Sequence, residues 1–165
     1  MACRANKRLT LRYADELVQE WYDADKLPVP ELDREIEPDL SLFIDGLISE
    51  PSFLTIEVDC VTEPNTRYSS YHLQSLRQKY ESYQAYAAAK RHREQFGVNN
   101  MRVLTVTTGG DEKVEHLAET AYEVCQGEGG GRFLATSYEA FKRDGPLAVT
   151  WLDANKREVA LGVRA

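Results

Sequence analysis

The order of periodicities along this chain predicts an α/β fold, a mixed central sheet flanked by helices. Three observations carry that expectation. Residues 40–44 and 53–59 alternate in period two, as neighbouring strands do. A long stretch from Thr66 to Phe96 places apolar residues at helical spacing, and the β-branched run Met101 to Thr107 is followed closely by a second helical pattern.

The elements follow in order. Leu11, Ala14, Leu17, Val18, Trp21 and Tyr22 suit one face of a helix over residues 9–24. Pro28 and Pro30 stop any helix, because proline lacks the backbone donor and disfavours helical geometry in the residue before it, so the next segment is expected to be extended. Over residues 36–45, Leu40, Leu42 and Ile44 alternate with Asp39, Ser41 and Phe43, and Asp45-Gly46 supplies a turn signal. In the second strand Leu54, Ile56 and Val58 face one way while Phe53, Thr55, Glu57 and Asp59 face the other, so Glu57 and Asp59 share a face.

Thr66 is a candidate cap for the long helix, whose stripe is Leu73, Leu76, Tyr80, Tyr83 and Ala87 and whose end is Gly97. Residues 101–107 read as a buried strand and 111–125 as a helix. The glycines of 127–131 read as a mobile loop, 132–136 as a strand and 137–142 as a short helical turn. A β-hairpin is expected between Ala148 and Val163, turning about Asp153-Ala154-Asn155.

With 165 residues, 42% apolar and 28% charged, the chain is expected to form one domain over 1–165. No apolar run reaches a membrane-spanning length, and the basic N-terminus lacks the apolar segment of a secretory signal, so a cytoplasmic location without membrane attachment is expected. Cys3, Cys60 and Cys125 are odd in number and widely spaced, which fits neither a zinc site nor a disulfide framework. A net charge of −7 argues against broad, non-specific adhesion to nucleic acid. It leaves open a metal-dependent nuclease, whose acidic site adds negative charge that bound cations offset.

Asp39 opens the first of the two strands, and Glu57 and Asp59 close the second. If the strands pair, the three carboxylates converge at one end of the sheet. Carboxylate oxygens suit hard cations, which lower the pKa of a bound water and stabilise charge on a reacting phosphate. A lysine nearby can orient the attacking water or neutralise developing charge, and Lys79 on the following helix is the candidate. The competing structural reading is an ion-pair network or solvated rim at a sheet end.

Pro38-Asp39, the segment from Glu57-Val58-Asp59 to Glu63-Pro64 with Arg67, Lys79-Tyr80-Glu81-Ser82-Tyr83, and residues 102–107 together resemble the replication-relaxation family of plasmid and mobile-element proteins. That family in turn resembles the PD-(D/E)xK, or restriction-endonuclease-like, superfamily. The resemblance covers about residues 36–152, with Gly145-Pro146-Leu147 and Trp151 similar to the closing segment. It implies a restriction-endonuclease-like sheet with Asp39, Glu57 and Asp59 as ligands for Mg²⁺ or Mn²⁺ and Lys79 as the catalytic cation; Glu37, two residues before Asp39 and so on the same strand face, is a lower-ranked ligand. Two departures stand out. The superfamily's strand lysine is replaced here by Asp59, and only one helix is expected where family members carry a winged-helix DNA-binding part.

The implied function is DNA processing or replication control on a plasmid, phage or mobile element, as a metal-dependent endonuclease if active. DNA and a protein that supplies DNA binding are the implied partners. The alternative is an inactive nuclease-fold protein serving as an interaction or regulatory module. Elsewhere, Tyr68, Tyr71, Tyr80, Tyr83 and Tyr86 crowd one helix; base stacking is one use, but Tyr80 and Tyr83 track the apolar stripe and read as core, the others as half-buried. Lys90-Arg91-His92-Arg93 is either a phosphate contact or a solvated helix end that complements the dipole. His72, His92 and His116 read as surface residues, Cys60 as a small strand residue, and both glycine clusters as turns without a phosphate-loop pattern.

Overall fold

The alternation at 53–59 sets the architecture, because it gives one strand two buried faces. The structure, a computed structural model, describes residues 9–13, 17–22, 26–45, 52–60 and 69–161. Strands β1 (Leu9–Tyr13), β2 (Leu17–Tyr22), β3 (Leu27–Val29), β4 (Arg34–Ile36), β5 (Leu40–Asp45) and β6 (Ser52–Asp59) precede helices α1 (Ser69–Ala88) and α2 (Arg91–Phe96). Then come β7 (Asn100–Thr107), α3 (Gly110–Cys125), β8 (Phe133–Ser137), α4 (Tyr138–Ala148), β9 (Trp151–Asp153) and β10 (Glu158–Val159).

Among the described residues the main sheet runs β5-β6-β7-β8-β9-β10, extended beyond β5 by the hairpin β2-β1. Strands β6, β7 and β8 are parallel and the other neighbours antiparallel, so the expected mixed sheet with flanking helices is present. The expected C-terminal hairpin is β9-β10, with Val159 opposite Trp151. Strands β3 and β4 pair as a separate two-stranded unit around a 3₁₀ turn at Pro30–Leu32.

The two faces of β6 bury in two cores. Phe53 joins Tyr80, Tyr83, Tyr86, Val103, Leu117 and Phe133 on the α1 and α3 side, where Leu27, Val29 and Ile36 of the small sheet also pack. Leu54 and Ile56 join Leu104, Val106, Leu134 and Trp151 on the α4 side. The faces read from the alternation are therefore the faces observed, except that Val58 is exposed.

Several expectations are corrected. Residues 9–24 were expected as a helix; the chain instead forms β1 and β2, with Leu9 opposite Trp21 and Tyr13 opposite Leu17. Leu9, Leu11 and Tyr13 alternate in period two, a pattern that overlaps the helical stripe starting at Leu11, and pairing of β2 with the edge of β5, from Val18–Asp45 to Tyr22–Ser41, decides between them. The single helix ending at Phe96 is two helices. Lys90 adopts a left-handed conformation with φ 57° and turns the chain, so that Phe96 stacks on Phe53 at 4.4 Å between ring centroids. The loop at 127–131 is ordered into a 3₁₀ turn, Gly130–Arg132. Helix α4 runs longer than expected, continuing to Ala148 across a break at Gly145. Gly46 and Thr66, expected as turn and cap, lie outside the described residues.

Candidate functional site

The last β5–β6 pair is Leu40 with Ile56, so one step further out Asp39 lies across from Glu57, on the face turned towards α1. Asp39 Oδ2 accepts a hydrogen bond from the Val58 backbone N–H at 2.8 Å, which caps the open end of the ladder. Its side chain remains at the surface. Parallel pairing of β6 with β7 puts Thr105 beside Glu57 and Thr107 beside Asp59, so the site gathers at the carboxyl ends of the parallel strands.

Glu57 is 1% exposed. A buried carboxylate needs partners, and α1 supplies two of them one helical turn apart. Lys79 Nζ contacts Glu57 Oε2, and Tyr83 OH donates to Glu57 Oε1 at 2.6 Å. Burial pushes the Glu57 carboxyl up from its ordinary value; Lys79 and Tyr83 oppose this, and the charge of Asp39 adds to it. Tyr83 in turn is held well above the usual phenol range, first by burial and then by the Glu57 charge. Tyr80, one residue from Lys79, exchanges a 2.7 Å hydrogen bond with Thr105 Oγ1 beneath the cluster.

Asp59 belongs to a neighbouring network. Thr107 Oγ1 donates to Asp59 Oδ2 at 2.7 Å, and Lys113 Nζ, from the first turn of α3, lies 3.9 Å from the same oxygen. The Gly109 N–H donates to Thr107 Oγ1 at 3.1 Å, which ties the start of α3 to the strand end. Glu37 is exposed on the segment between β4 and β5, so the strand alternation that was to align it with Asp39 does not extend to it.

The expected lysine thus reaches an expected acid, and Asp39 stands beside the pair. Among the described residues, however, no group of three or more His, Cys, Asp or Glu side chains is gathered as a metal site requires. The donors are chemically suited to Mg²⁺ or Mn²⁺, and the arrangement offers them as a pair, Asp39 and Glu57, with Asp59 engaged by Thr107 and Lys113. The sequence reading missed the roles of Tyr83, Thr107 and Lys113. Tyr83, four residues after Lys79, carried a signal in its spacing; Lys113 carried none, because its meeting with Asp59 depends on how α3 follows β7.

Other expectations divide in the same way. Tyr80 and Tyr83 are core as expected, but Tyr86 is fully buried too, and its OH donates to Gln95 Oε1 at 2.8 Å. His92, expected at the surface, is buried, and Cys60, expected within a strand, is exposed just beyond β6. No helix among the described residues is long and apolar enough to cross a membrane. Comparison with protein-family models, curated proteins and solved structures finds no match to this chain. Fold and site together define an α/β protein with a carboxylate and lysine cluster at the carboxyl ends of its parallel strands.

Proposed function

We propose that Asp39, Glu57 and Lys79 form a nuclease-type centre on a restriction-endonuclease-like fold, and that the protein processes DNA of a plasmid, phage or other mobile element. The observation that supports this reading is the contact from Lys79 on α1 to Glu57 on β6, because it gives the acids a cation although Asp59 stands in place of the strand lysine. Asp39 and Glu57 would hold a divalent cation, which supplies an activated water and stabilises charge on the scissile phosphate. Lys79 opposes the effect of burial on the Glu57 carboxyl and offers its Nζ, on a side chain about one-third exposed, to an incoming phosphate oxygen. Tyr83 fixes the Glu57 carboxylate by its hydrogen bond to the second oxygen.

A second reading is favoured by one specific observation: each of the three acids already has a donor within the chain. In that case the fold serves as an interaction module without catalysis. Two measurements separate the readings. Mn²⁺ at tenfold excess over its Kd should stabilise the wild type by about 1.4 kcal/mol, a rise of a few degrees in Tm, and Asp39→Ala should abolish the rise. Supercoiled plasmid should be nicked by the wild type with Mn²⁺ and not by Glu57→Gln or Lys79→Ala. Equal nicking by all three proteins, or none by any together with no Mn²⁺ shift, would sink the nuclease reading.

A further inference from the structure

Two sequence features far apart in the chain, the basic run at 90–93 and the glycine cluster at 127–131, meet at the opposite end of the sheet from Glu57. There the amino ends of β6, β7 and β8 border a cavity of about 590 Å³, within the size range of small-molecule sites. Lys90, Arg93, Arg102 and Arg132 line it together with His92 and Asn99, and among the described residues no carboxylate does. In a chain of net charge −7 such a cavity is an isolated positive concavity.

Among the described residues Lys90, Arg93 and Arg132 form no ion pair with a carboxylate. Arg132 is half-buried, and its Nη1 donates to the neutral Gln84 Oε1 at 2.8 Å. Burial lowers the Arg132 pKa, the strain that an anion in the cavity would relieve. Gly129 has φ 74°, and a Cβ there would stand 3.1 Å from Arg132 Nη1, so the glycine leaves room around the guanidinium.

His92 also borders the cavity. It is 6% exposed, and its Nε2 lies 3.0 Å from the Asn99 carbonyl oxygen, which can only accept; Nε2 therefore carries the hydrogen. Nδ1 is closed to solvent and has no partner among the described residues, so the ring serves as a wall of the cavity.

We propose that this cavity binds a phosphate monoester or diphosphate carried on a group of nucleotide size, with Lys90, Arg93 and Arg132 on the phosphate. A free nucleotide and the 5′-phosphorylated end of a nucleic-acid strand present the same chemistry. The site is separate from the Asp39 and Glu57 cluster, so each can fail without the other.

Calorimetry at low salt on the whole chain tests it, with ADP, inorganic pyrophosphate, adenosine, and one short oligonucleotide with and without a 5′-phosphate. ADP should bind and adenosine should not. Arg93→Gln and Lys90→Asn should each weaken binding roughly tenfold. Both positions are exposed, and asparagine tolerates the left-handed backbone of residue 90, so the fold should persist, as an unchanged Tm would verify. Asp39→Ala should leave binding unchanged. Tighter binding of the 5′-phosphorylated oligonucleotide than of ADP, lost with the phosphate, would support the site with a strand end as its source. No binding of any phosphate probe at millimolar concentration, or affinities that neither substitution alters, would overturn the proposal.

Discussion

Glu57 shows how one side chain's surroundings become a measurable property of the protein. Its folded pKa lies above the ordinary carboxylate value, so over the interval between the two the native state binds more protons than the unfolded chain. Stability from this group is therefore greatest at acid pH and is lost as pH rises through the raised pKa. Glu57→Gln removes that dependence, so its stability relative to wild type should improve as pH rises from the ordinary carboxylate pKa through the raised one, as urea midpoints would record. Lys79→Met does the reverse. It leaves the buried carboxylate without its cation and should cost about 1–3 kcal/mol well above the ordinary carboxylate pKa and less close to it. The cost falls below that of a fully buried pair because Lys79 is 34% exposed and partly solvated. Equal losses in both pH ranges would show that Lys79 acts through packing alone.

Among the elements, the C-terminal hairpin rests on one aspartate. Asp153 is fully buried; its Oδ1 accepts from the Asn155 and Arg157 backbone N–H groups at 2.8 and 2.9 Å, and its Oδ2 from Arg157 Nε at 2.9 Å. Burial raises this carboxyl's pKa, but the Arg157 and Asn155 donors outweigh it and hold the group below the usual range. Its contribution is therefore present above the ordinary carboxylate pKa and is lost as pH falls through the lowered one. Asp153→Ala should cost about 3 kcal/mol and loosen the β9–β10 turn, read as a changed fluorescence of the neighbouring Trp151. An unchanged urea midpoint would refute this. Helix α4 is governed by Gly145, whose φ of 75° breaks the helix before Pro146 and lets Trp151 Nε1 donate to the Pro146 carbonyl at 3.1 Å. Gly145→Ala has open space for its Cβ but the wrong backbone, so a loss of about 1 kcal/mol is expected from strain alone, seen as a lower Tm.

For the whole molecule, the packing of α1 against the sheet should be visible in alkaline titration. Tyr80, Tyr83 and Tyr86 all have raised pKa values, chiefly through burial. At least these three of the nine tyrosines should stay protonated until the protein unfolds, giving a late step in phenolate absorbance that merges with the first in urea. A single step in the folded protein would contradict the burial of α1. The strands β5 to β8, helix α3 and the shared face of Glu57 and Asp59 were legible in the sequence, because each depends on periodicity within a few residues. The N-terminal hairpin was not, since the alternation of Leu9, Leu11 and Tyr13 overlaps a helical stripe that starts at Leu11 and only the edge of β5 chooses. What the sequence by itself determined was which residues share a face and where the acids stand along their strands. The tertiary structure alone decided that Glu57 meets Lys79 and Tyr83, that Asp59 is taken by Thr107 and Lys113, and that His92 is buried beside a cluster of cations. Those outcomes depend on which helix crosses which strand and in what register, and contacts between residues so far apart in the chain leave no mark in local periodicity.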